Sequence, residues 1–283
     1  MRRRRCFLVT GSKHLRRLAY PYAVWMAIFV IVPIFIVGYY GFTDRDGGFT
    51  LEHIRSISTP AHLKALLLSV KLSVVSTLIC FLLSLPLALA IRSTKVNSNG
   101  FIIFIFILPM WMNFLLRTIA WQSLLEKTGI INTILHAVGL PGQNMINTEG
   151  AIILGMVYNY LPFMVLPIYN SLVRISQDTF DAAQDLGANW FQVLWHITLP
   201  QIFPGIVSGI TMVFVPAMTT FVISNLLGGA KINLIGNVIE QEFTTANNWY
   251  EGAGLSLVLM ILVLGSMAVM SRYDKDGEGA AIW

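Results

Sequence analysis

Six long apolar runs dominate this sequence. A helix needs about 20 apolar residues to cross the hydrocarbon layer of a membrane, and each run is about that long. Because the backbone finds no water to bond with in lipid, each spanning segment must be a helix that pairs its own N–H and C=O groups. The runs cover residues 20–42, 65–91, 101–125, 150–171, 201–227 and 253–271.

The composition of the chain favours lipid as its solvent. Hydrophobic residues make up 55% and charged residues only 12%, whereas a typical soluble domain is about 25% charged. Too few charges remain to cover a surface that faces water. We therefore predict an all-α integral membrane protein with six transmembrane helices, surrounded by membrane lipid. The net charge of +5 is concentrated at the N-terminus and suggests a membrane surface rather than nucleic acid as the partner.

The distribution of Lys and Arg predicts that both termini face the cytoplasm. With the N-terminus inside, the inner segments hold 12 basic residues over 69 positions and the outer segments hold 5 over 71. The tail supplies seven of the twelve, and it adjoins the first span, which usually dominates orientation. The first run starts too late for a signal peptide and lacks a cleavage site, so we expect it to be retained. The predicted parts are a basic cytoplasmic tail (1–19), a six-span domain (20–271) with an inner loop (172–200), and a cytoplasmic C-terminal tail (272–283).

The inner loop between the fourth and fifth runs carries the clearest local pattern. Ser176 or Asp178 can cap a short helix, and Gly187 fits the left-handed position that ends it. Asn189 can cap a second short helix over residues 190–197. Pro200, followed by Pro204, is expected to interrupt the approach to the next span.

The charge of this loop suits a protein partner. Three Asp and no Lys or Arg lie between Arg174 and Pro200. A helix that rests on anionic lipid usually carries Lys and Arg on its polar face, so the lipid-surface alternative is less favoured. Both helices also carry apolar side chains that such a partner could cover, namely Phe180, Leu186, Trp190, Leu194 and Ile197.

The loop resembles the EAA loop of ATP-binding-cassette (ABC) importer permeases. Asp181 stands where the family usually has Glu, which keeps the charge. In that family the loop forms a coupling helix that inserts into a cleft on the cytoplasmic ATPase, and the resemblance implies the same docking role here. The matching residues are Asp181, Ala182, Ala183, Gly187, Ile197, Leu199 and Pro200.

Further stretches resemble the spermidine/putrescine (PotB/PotH-type) group of binding-protein-dependent permeases. The resemblance implies a permease subunit that works with a second, PotC/PotI-type permease, two ATP-binding subunits and an external binding protein. ATP and magnesium would then be bound by the ATPase subunits. This chain has no P-loop sequence and no metal-ligand spacing, so we predict no catalytic residue, cofactor or metal site and no nucleic-acid partner. The stretches are 108–117, 158–169 and 226–237, followed by 241–243 and 248–249.

A polyamine is bound by carboxylates, aromatic faces and carbonyl oxygens, and several side chains could line a weak path for one. Glu240 and Glu242 are predicted in an outer loop, either as a gate pair or as ordinary solvated charges. Asn225 stands where an acidic residue often occurs in this group. Taken singly, the remaining candidates are also explained by helix packing. The candidates are Trp111, Asn113, Tyr158, Tyr160, Thr220, Asn225, Glu240 and Glu242.

Two cations within the runs, Lys71 and Arg117, are functional candidates because charge is costly in a membrane. Neither has an obvious acidic partner in the runs. We expect Lys71 to extend towards the outer surface and Arg117 to bond to exposed carbonyls. Five prolines are expected to bend helices, either as simple kinks or as hinges; they are Pro33, Pro86, Pro109, Pro162 and Pro216.

Other functions remain open at this point. A related permease could carry another small solute, such as an amino acid, an organic cation or an anion. An ion-coupled secondary transporter would be expected to carry carboxylates within its spans, and the six runs contain none. A membrane enzyme would need a catalytic cluster at one membrane face, and no such cluster is evident in the sequence.

Overall fold

The computed structural model describes residues 20–22, 24–93 and 108–273, and nearly all regular structure in them is helical. The only bridge between extended segments in these residues joins Thr43 to Phe49. This confirms the predicted all-α class. Five helices in this part of the chain are long and apolar enough to cross a membrane: α1 (Tyr20–Phe42), α3 (Pro60–Ser93), α6 (Glu149–Arg174), α8 (Trp190–Thr219) and α10 (Trp249–Ser271). The shorter helices are α2 (Glu52–Arg55), α4 (Phe114–Leu125), α5 (Ile130–Ala137), α7 (Gln177–Asp185) and α9 (Ile235–Thr244).

The third apolar run is not one uninterrupted helix. Its first part, residues 101–107, lies outside the described residues. The rest forms a short 3₁₀ turn, Leu108–Trp111, and then α4. Asn113 separates the two, because its side-chain oxygen accepts from the N–H groups of Leu115 and Leu116 at 2.8 and 3.3 Å and caps α4. The prediction of a single helix over this run is therefore wrong at Asn113.

The fifth run also differs from its prediction. Helix α8 begins at Trp190 and continues through a π-helical segment, Leu194–Thr198, to Thr219. Pro200 does not stop it, and the helix continues past this residue directly after the π-helical segment. Local π-helical adjustments allow a membrane helix to accommodate a proline. At the other end Thr220 is extended, and the chain then forms a separate π-helical turn, Ser224–Gly228.

The centre of the bundle is formed by α3, α6 and α8, which make the most extensive contacts with one another. Small residues let these helices approach closely. A Cβ added at Gly205 of α8 would lie 2.6 Å from the carbonyl oxygen of Pro167 in α6. Three buried serine hydroxyls on α3 bond to the carbonyls of their own helix, as Ser73 does to Ser69 at 2.6 Å.

Helix α1 lies at the edge of the bundle. It packs mainly against α10, where Gly41 sits against Leu257 and the backbone of Ala253. The most apolar stretch of α1 has no buried residue. The helix therefore presents nearly all of its apolar surface outwards.

The predicted prolines occupy two kinds of position. Pro109 lies in the 3₁₀ turn before α4. Pro33, Pro86, Pro162 and Pro216 lie within long helices that continue past them. Their role as hinges stays a prediction.

Candidate functional site

The inner loop folds into a helical elbow, which we define as residues 176–200. Ser176 occupies the N-cap position of α7 as predicted, although its hydroxyl contacts the hydroxyl of Thr179 at 2.9 Å instead of a backbone N–H. Gln177 donates a hydrogen bond to the Asp181 carboxylate at 3.0 Å. Asp181 and Ala182 are exposed, whereas Ala183 is buried against the bundle. Helix α7 thus has an anchored face and a free face.

Gly187 ends α7 as the sequence predicts. Its φ is +78°, the left-handed region that glycine adopts without strain. The N–H of Gly187 bonds to the carbonyl of Gln184 at 2.8 Å, and the N–H of Ala188 bonds to that of Ala183 at 3.0 Å. These two bonds form a Schellman motif. The turn fixes the angle between the two arms of the elbow.

The second arm begins with a capping box, which confirms the predicted role of Asn189. The Asn189 side chain accepts from the N–H of Gln192 and the Gln192 side chain accepts from the N–H of Asn189, both at 2.9 Å. Ile197 and Leu199 are half-buried and Pro200 is exposed. They lie in the continuous helix α8 instead of at a stop.

The free surface of the elbow is strongly apolar. Leu186 at its tip is 89% exposed. Three aromatic side chains are also exposed nearby. Two of them, Phe191 and Trp195, have ring centroids 6.0 Å apart. Phe191 and Trp195 were not among the apolar residues singled out from the sequence. The exposed aromatic residues are Trp190, Phe191 and Trp195.

Arg92, at the end of α3, ties the elbow to the bundle. Its guanidinium donates to the carbonyl of Leu172 and, at 2.8 Å, to the carbonyl of Ile175. The same group lies 4.3 Å from the centre of the Phe180 ring in α7. Sequence reasoning counted Arg92 only as an inner-loop charge, because the contacts join residues about 80 positions apart.

The predicted path residues at the start of α4 and along α6 have different surroundings. Trp111 and Asn113 are exposed, and Asn113 has the structural role of a cap. Tyr158 packs edge-on against Trp121 with ring centroids 5.3 Å apart. Tyr160 is buried, and its hydroxyl donates to the carbonyl of Pro216 at 3.4 Å. Tyr160 thus faces the end of α8. There the extended residue Thr220 interrupts the helix, and we call this interruption the break.

A buried polar network surrounds that break and centres on Asn237. The Asn237 amide donates to the carbonyl of Phe221 at 3.1 Å and to the side-chain oxygen of Asn225 at 2.5 Å. Its own oxygen accepts from the Ser224 hydroxyl at 2.5 Å and from the N–H of Leu234 at 3.0 Å. Asn225 is exposed, so it is the member of the network that can meet a solute. The sequence singled out Asn225 but not Asn237 or Ser224.

Helix α9 replaces part of the predicted outer loop and separates the two predicted acids. Glu240 lines a pocket of about 560 Å³ between the end of α8, α9 and α10, together with Phe221 and Phe243. Residues two apart on a helix point in different directions, and Glu242 lies in another setting. Burial raises the pKa of the Glu242 carboxyl, the nearby Glu251 raises it further, and His62 acts in the opposite direction.

The two candidate cations also have different surroundings. The Lys71 ammonium lies 2.7 Å from the Glu149 carboxylate, so its acidic partner is one residue outside the fourth run and not within the runs. Both side chains are well exposed, and such a pair contributes about 0.2–1 kcal/mol. Arg117 is 7% exposed, and no described residue accepts from its Nε or Nη1. The carbonyl bonds predicted for these two atoms are not observed.

Helices long and apolar enough to cross a membrane, with an exposed apolar elbow between two of them, define a multi-pass membrane protein with a surface that is free to bind a partner. The sequence matches the family model "Binding-protein-dependent transport system inner membrane component" over residues 8–273. The chain therefore belongs to this family. It is a multi-pass inner-membrane protein and a permease subunit of an ABC importer.

Named relatives agree with this assignment. The chain is 35% identical over 259 residues to the spermidine/putrescine transport system permease protein PotB of Haemophilus influenzae. This alignment covers 89% of this chain and 91% of the relative. It is 34% identical over 254 residues to PotB of Escherichia coli K12, covering 87% and 92%. These matches confirm the resemblance to the spermidine/putrescine permease group.

A solved structure shares the fold. A chain of a bacterial ABC transporter involved in the import of the acidic polysaccharide alginate superposes with a TM-score of 0.78. The sequences are 19% identical, and the match covers 93% of this chain and 96% of the other. A second structure holds the alginate transporter in complex with a periplasmic protein that carries an alginate pentasaccharide.

Proposed function

We propose that this chain is one of two permease subunits of a polyamine importer that takes up spermidine and putrescine. The names of its relatives support this cargo. An external binding protein delivers the polyamine, and a PotC/PotI-type permease completes the pathway. The largely unburied α1 and the limited number of spans favour such a second subunit.

The observation that carries the proposal is the surface of the elbow, which is exposed, apolar and acidic. Leu186 and three aromatic side chains project from it, and neither Lys nor Arg lies between Arg174 and Pro200. Exposed apolar side chains in a well-ordered turn are typical of a protein docking surface. We infer that two cytoplasmic ATP-binding subunits, which bind ATP and magnesium, dock on this surface and its equivalent on the partner permease.

The cargo contacts that we propose begin at the pocket of Glu240. A polyamine combines ammonium groups with short apolar segments. The Glu240 carboxylate can attract an ammonium, and the rings of Phe221 and Phe243 line the same pocket, where they can contact the methylene groups and the cation. Glu242 adds negative charge nearby. The remaining path residues stay as proposed weak contacts, which suits a permease whose binding protein selects the cargo.

The docking proposal is tested by co-purification with the cognate ATPase. Leu186→Asp places a charge at the tip of the elbow, and we expect it to reduce the amount of ATPase retained by about tenfold, which corresponds to the loss of one important interface residue. Phe49→Asp is the matched control, because Phe49 is a large apolar residue that is 78% exposed outside the elbow. Equal retention in the two variants would remove the elbow as the docking surface.

The cargo proposal is tested separately by transport. The assembled complex in proteoliposomes, supplied with binding protein and ATP, is expected to take up labelled spermidine. Unlabelled putrescine should compete, whereas amino acids and organic anions should not. Uptake that polyamines fail to inhibit would exclude this cargo and leave the permease assignment intact.

A further inference from the structure

We propose that the part of α3 between Ser69 and Arg92 mechanically links the elbow to the break at Thr220. We call this part of the helix the connecting rod. Arg92 fixes one end of the rod to the elbow, and Ser69 fixes the other end to the first residue of α9. The proposal rests on the proposed docking of an ATPase at the elbow. It adds a route through α3 to the direct route along α8, which runs from the elbow to the break.

The elbow end of the rod is held by one side chain that touches two other elements. Arg92 belongs to α3, its N–H groups bond to the last carbonyls of α6, and its flat face covers Phe180 of α7. The carbonyls at a helix C-terminus lack partners within the helix and attract a cation. Only arginine combines a planar face with a fork of donors. One guanidinium therefore ties α3, α6 and α7 together.

The opposite end is held by a buried backbone contact. The Ser69 hydroxyl accepts the N–H of Ile235 at 2.8 Å and donates to the carbonyl of Ala65 at 3.0 Å. Ser69 and Ile235 are both fully buried, so water does not compete for the bond. Ile235 opens α9, and Asn237, two residues later, holds Ser224 and the Phe221 carbonyl. Ser69 is thereby connected to the residues around the break.

The helix between these anchors is suited to transmit movement. From Ser69 to Arg92 it runs for about 35 Å, given a rise of about 1.5 Å per residue. It is continuous through Pro86 and packs against α6 and α8. The elbow follows α6 along the chain and includes the start of α8, whereas α3 is distant from it in sequence. Arg92 gives α7 a direct side-chain contact with α3, in addition to the indirect contacts through α6 and α8.

Arg92 and Ser69 are thus positioning residues for transport. When the ATPase shifts the elbow, the rod moves Ile235 and the network around Asn237. This changes the packing at the break, where Phe221 and Asn225 are exposed. The two anchors act in series along α3, so the loss of either one interrupts this route and leaves only the route along α8.

The test measures the break directly in the assembled complex. Phe221→Cys, in a chain that also carries Cys6→Ser and Cys80→Ser, provides a single thiol at the break, because the chain has two cysteines. Its rate of labelling by a maleimide is compared with and without a non-hydrolysable ATP analogue. We expect the analogue to change the rate about tenfold, within the usual range for coupling between distant sites.

Removing either anchor should weaken this response. We expect the analogue to change the labelling rate several-fold less in Arg92→Gln and in Ser69→Ala than in the unaltered chain, and the double variant to behave like either single variant. Phe180→Leu disturbs the elbow contact without altering α3 and should weaken the response. Arg92→Lys, which keeps the charge but lacks the planar group, should restore part of it. Ser73→Ala is the control, since this buried hydroxyl bonds to a carbonyl of α3 itself.

The outcomes separate the two proposals. If the ATPase does not co-purify and the analogue has no effect on the otherwise unaltered chain, docking at the elbow is wrong. If the ATPase is retained and Arg92→Gln responds to the analogue as fully as the Ser73→Ala control, the connecting rod is wrong while docking stands.

Discussion

At the scale of single residues, Gly187 is needed for its backbone angle, on which we expect the coupling of ATP hydrolysis to uptake to depend. A Cβ at this position would meet no atom within 4 Å, yet φ is +78°. The requirement for glycine is therefore conformational. A non-glycine residue in this region costs about 1–2 kcal/mol, and a β-branched one is especially unfavourable.

We predict that Gly187→Val uncouples ATP hydrolysis from uptake while the subunit still inserts into the membrane. The altered turn would change the angle between α7 and α8 and misplace Leu186. Uptake per ATP hydrolysed, measured in proteoliposomes, should fall by about tenfold, which corresponds to about 1.4 kcal/mol. Gly187→Asn is the matched control, because asparagine tolerates the left-handed conformation. Equal coupling in the two variants would contradict a role for this backbone angle.

The setting of Glu242 leads to a prediction about pH. Burial and the nearby Glu251 raise the pKa of its carboxyl, against the smaller opposite effect of His62. A raised pKa means that Glu242 loses its negative charge at a higher pH than an ordinary glutamate when the outer medium is acidified. If Glu242 attracts the cationic cargo, spermidine uptake should begin to decline at that higher pH. Glu242→Gln should remove this part of the pH profile and lower uptake near neutral pH.

Glu240→Gln provides a comparison within the same helix. It removes the carboxylate from the pocket and keeps the size of the side chain. We expect the KM for uptake from the binding-protein complex to rise several-fold without the change in pH profile seen for Glu242→Gln. Unaltered KM would exclude the pocket from the cargo path. Replacing either acid should leave ATPase co-purification unchanged, because both lie outside the elbow.

Local signals explain which residues could be predicted from the sequence. Gly187 and Asn189 act on their own turns, within three positions along the chain, and both were found. Arg92, Ser69 and Asn237 act across long separations; Ser69, for example, meets Ile235, which is 166 positions away. A pattern along one chain carries no information about such contacts. The cap at Asn113 is also local, but its position inside an apolar run concealed it.

At the scale of secondary-structure elements, the breaks in two apolar runs are the main departure from prediction. An average of hydropathy over about 20 residues does not detect one extended residue such as Thr220 or one capping residue such as Asn113. At the break in the run ending at Leu227, the Phe221 carbonyl accepts from the side chains of Asn237 and Ser224 and from the N–H of Asn225. Irregular backbone within a membrane protein is tolerated where protein groups surround it.

The break therefore depends on Asn237, and its removal gives a stability prediction. Asn237→Ala leaves the buried Leu234 N–H without its partner, which costs about 1–3 kcal/mol. It also removes one bond from the Phe221 carbonyl, which keeps its bonds from the Ser224 hydroxyl and the Asn225 N–H. We expect a clear drop in the Tm of the purified chain in detergent. Asn225→Ala removes only one bond from an exposed residue and should lower the Tm less. Equal effects would show that the network does not hold the break.

At the scale of the whole molecule, membrane class and family could be predicted from the sequence, whereas the packing of the spans could not. Composition and six apolar runs were sufficient for the class, and the loop motif for the family. The predicted count of six spans depends in part on residues 101–107, which lie outside the described residues. The predicted orientation likewise stays a prediction, and labelling of Leu186→Cys from either side of the membrane would measure it.

We also predict that this subunit gains stability from its proposed permease partner. Any partner that binds only the folded chain raises its apparent stability. Co-expression with a PotC/PotI-type permease should therefore raise the Tm and the amount of chain recovered. A second, differently tagged copy of this chain should not do so. Recovery of mixed pairs of the two tagged copies would indicate a homodimer instead.

The position of α1 has a consequence for the life of the protein in a cell. A helix that touches its own bundle at one end and presents the rest of its length outwards is held in place only partly by its own chain. A newly made copy would then reach its final form only on meeting other subunits, and an excess of this chain would be exposed to membrane proteases. We therefore expect the cellular level of the subunit to follow that of its scarcest companion, whatever the rate of its own synthesis.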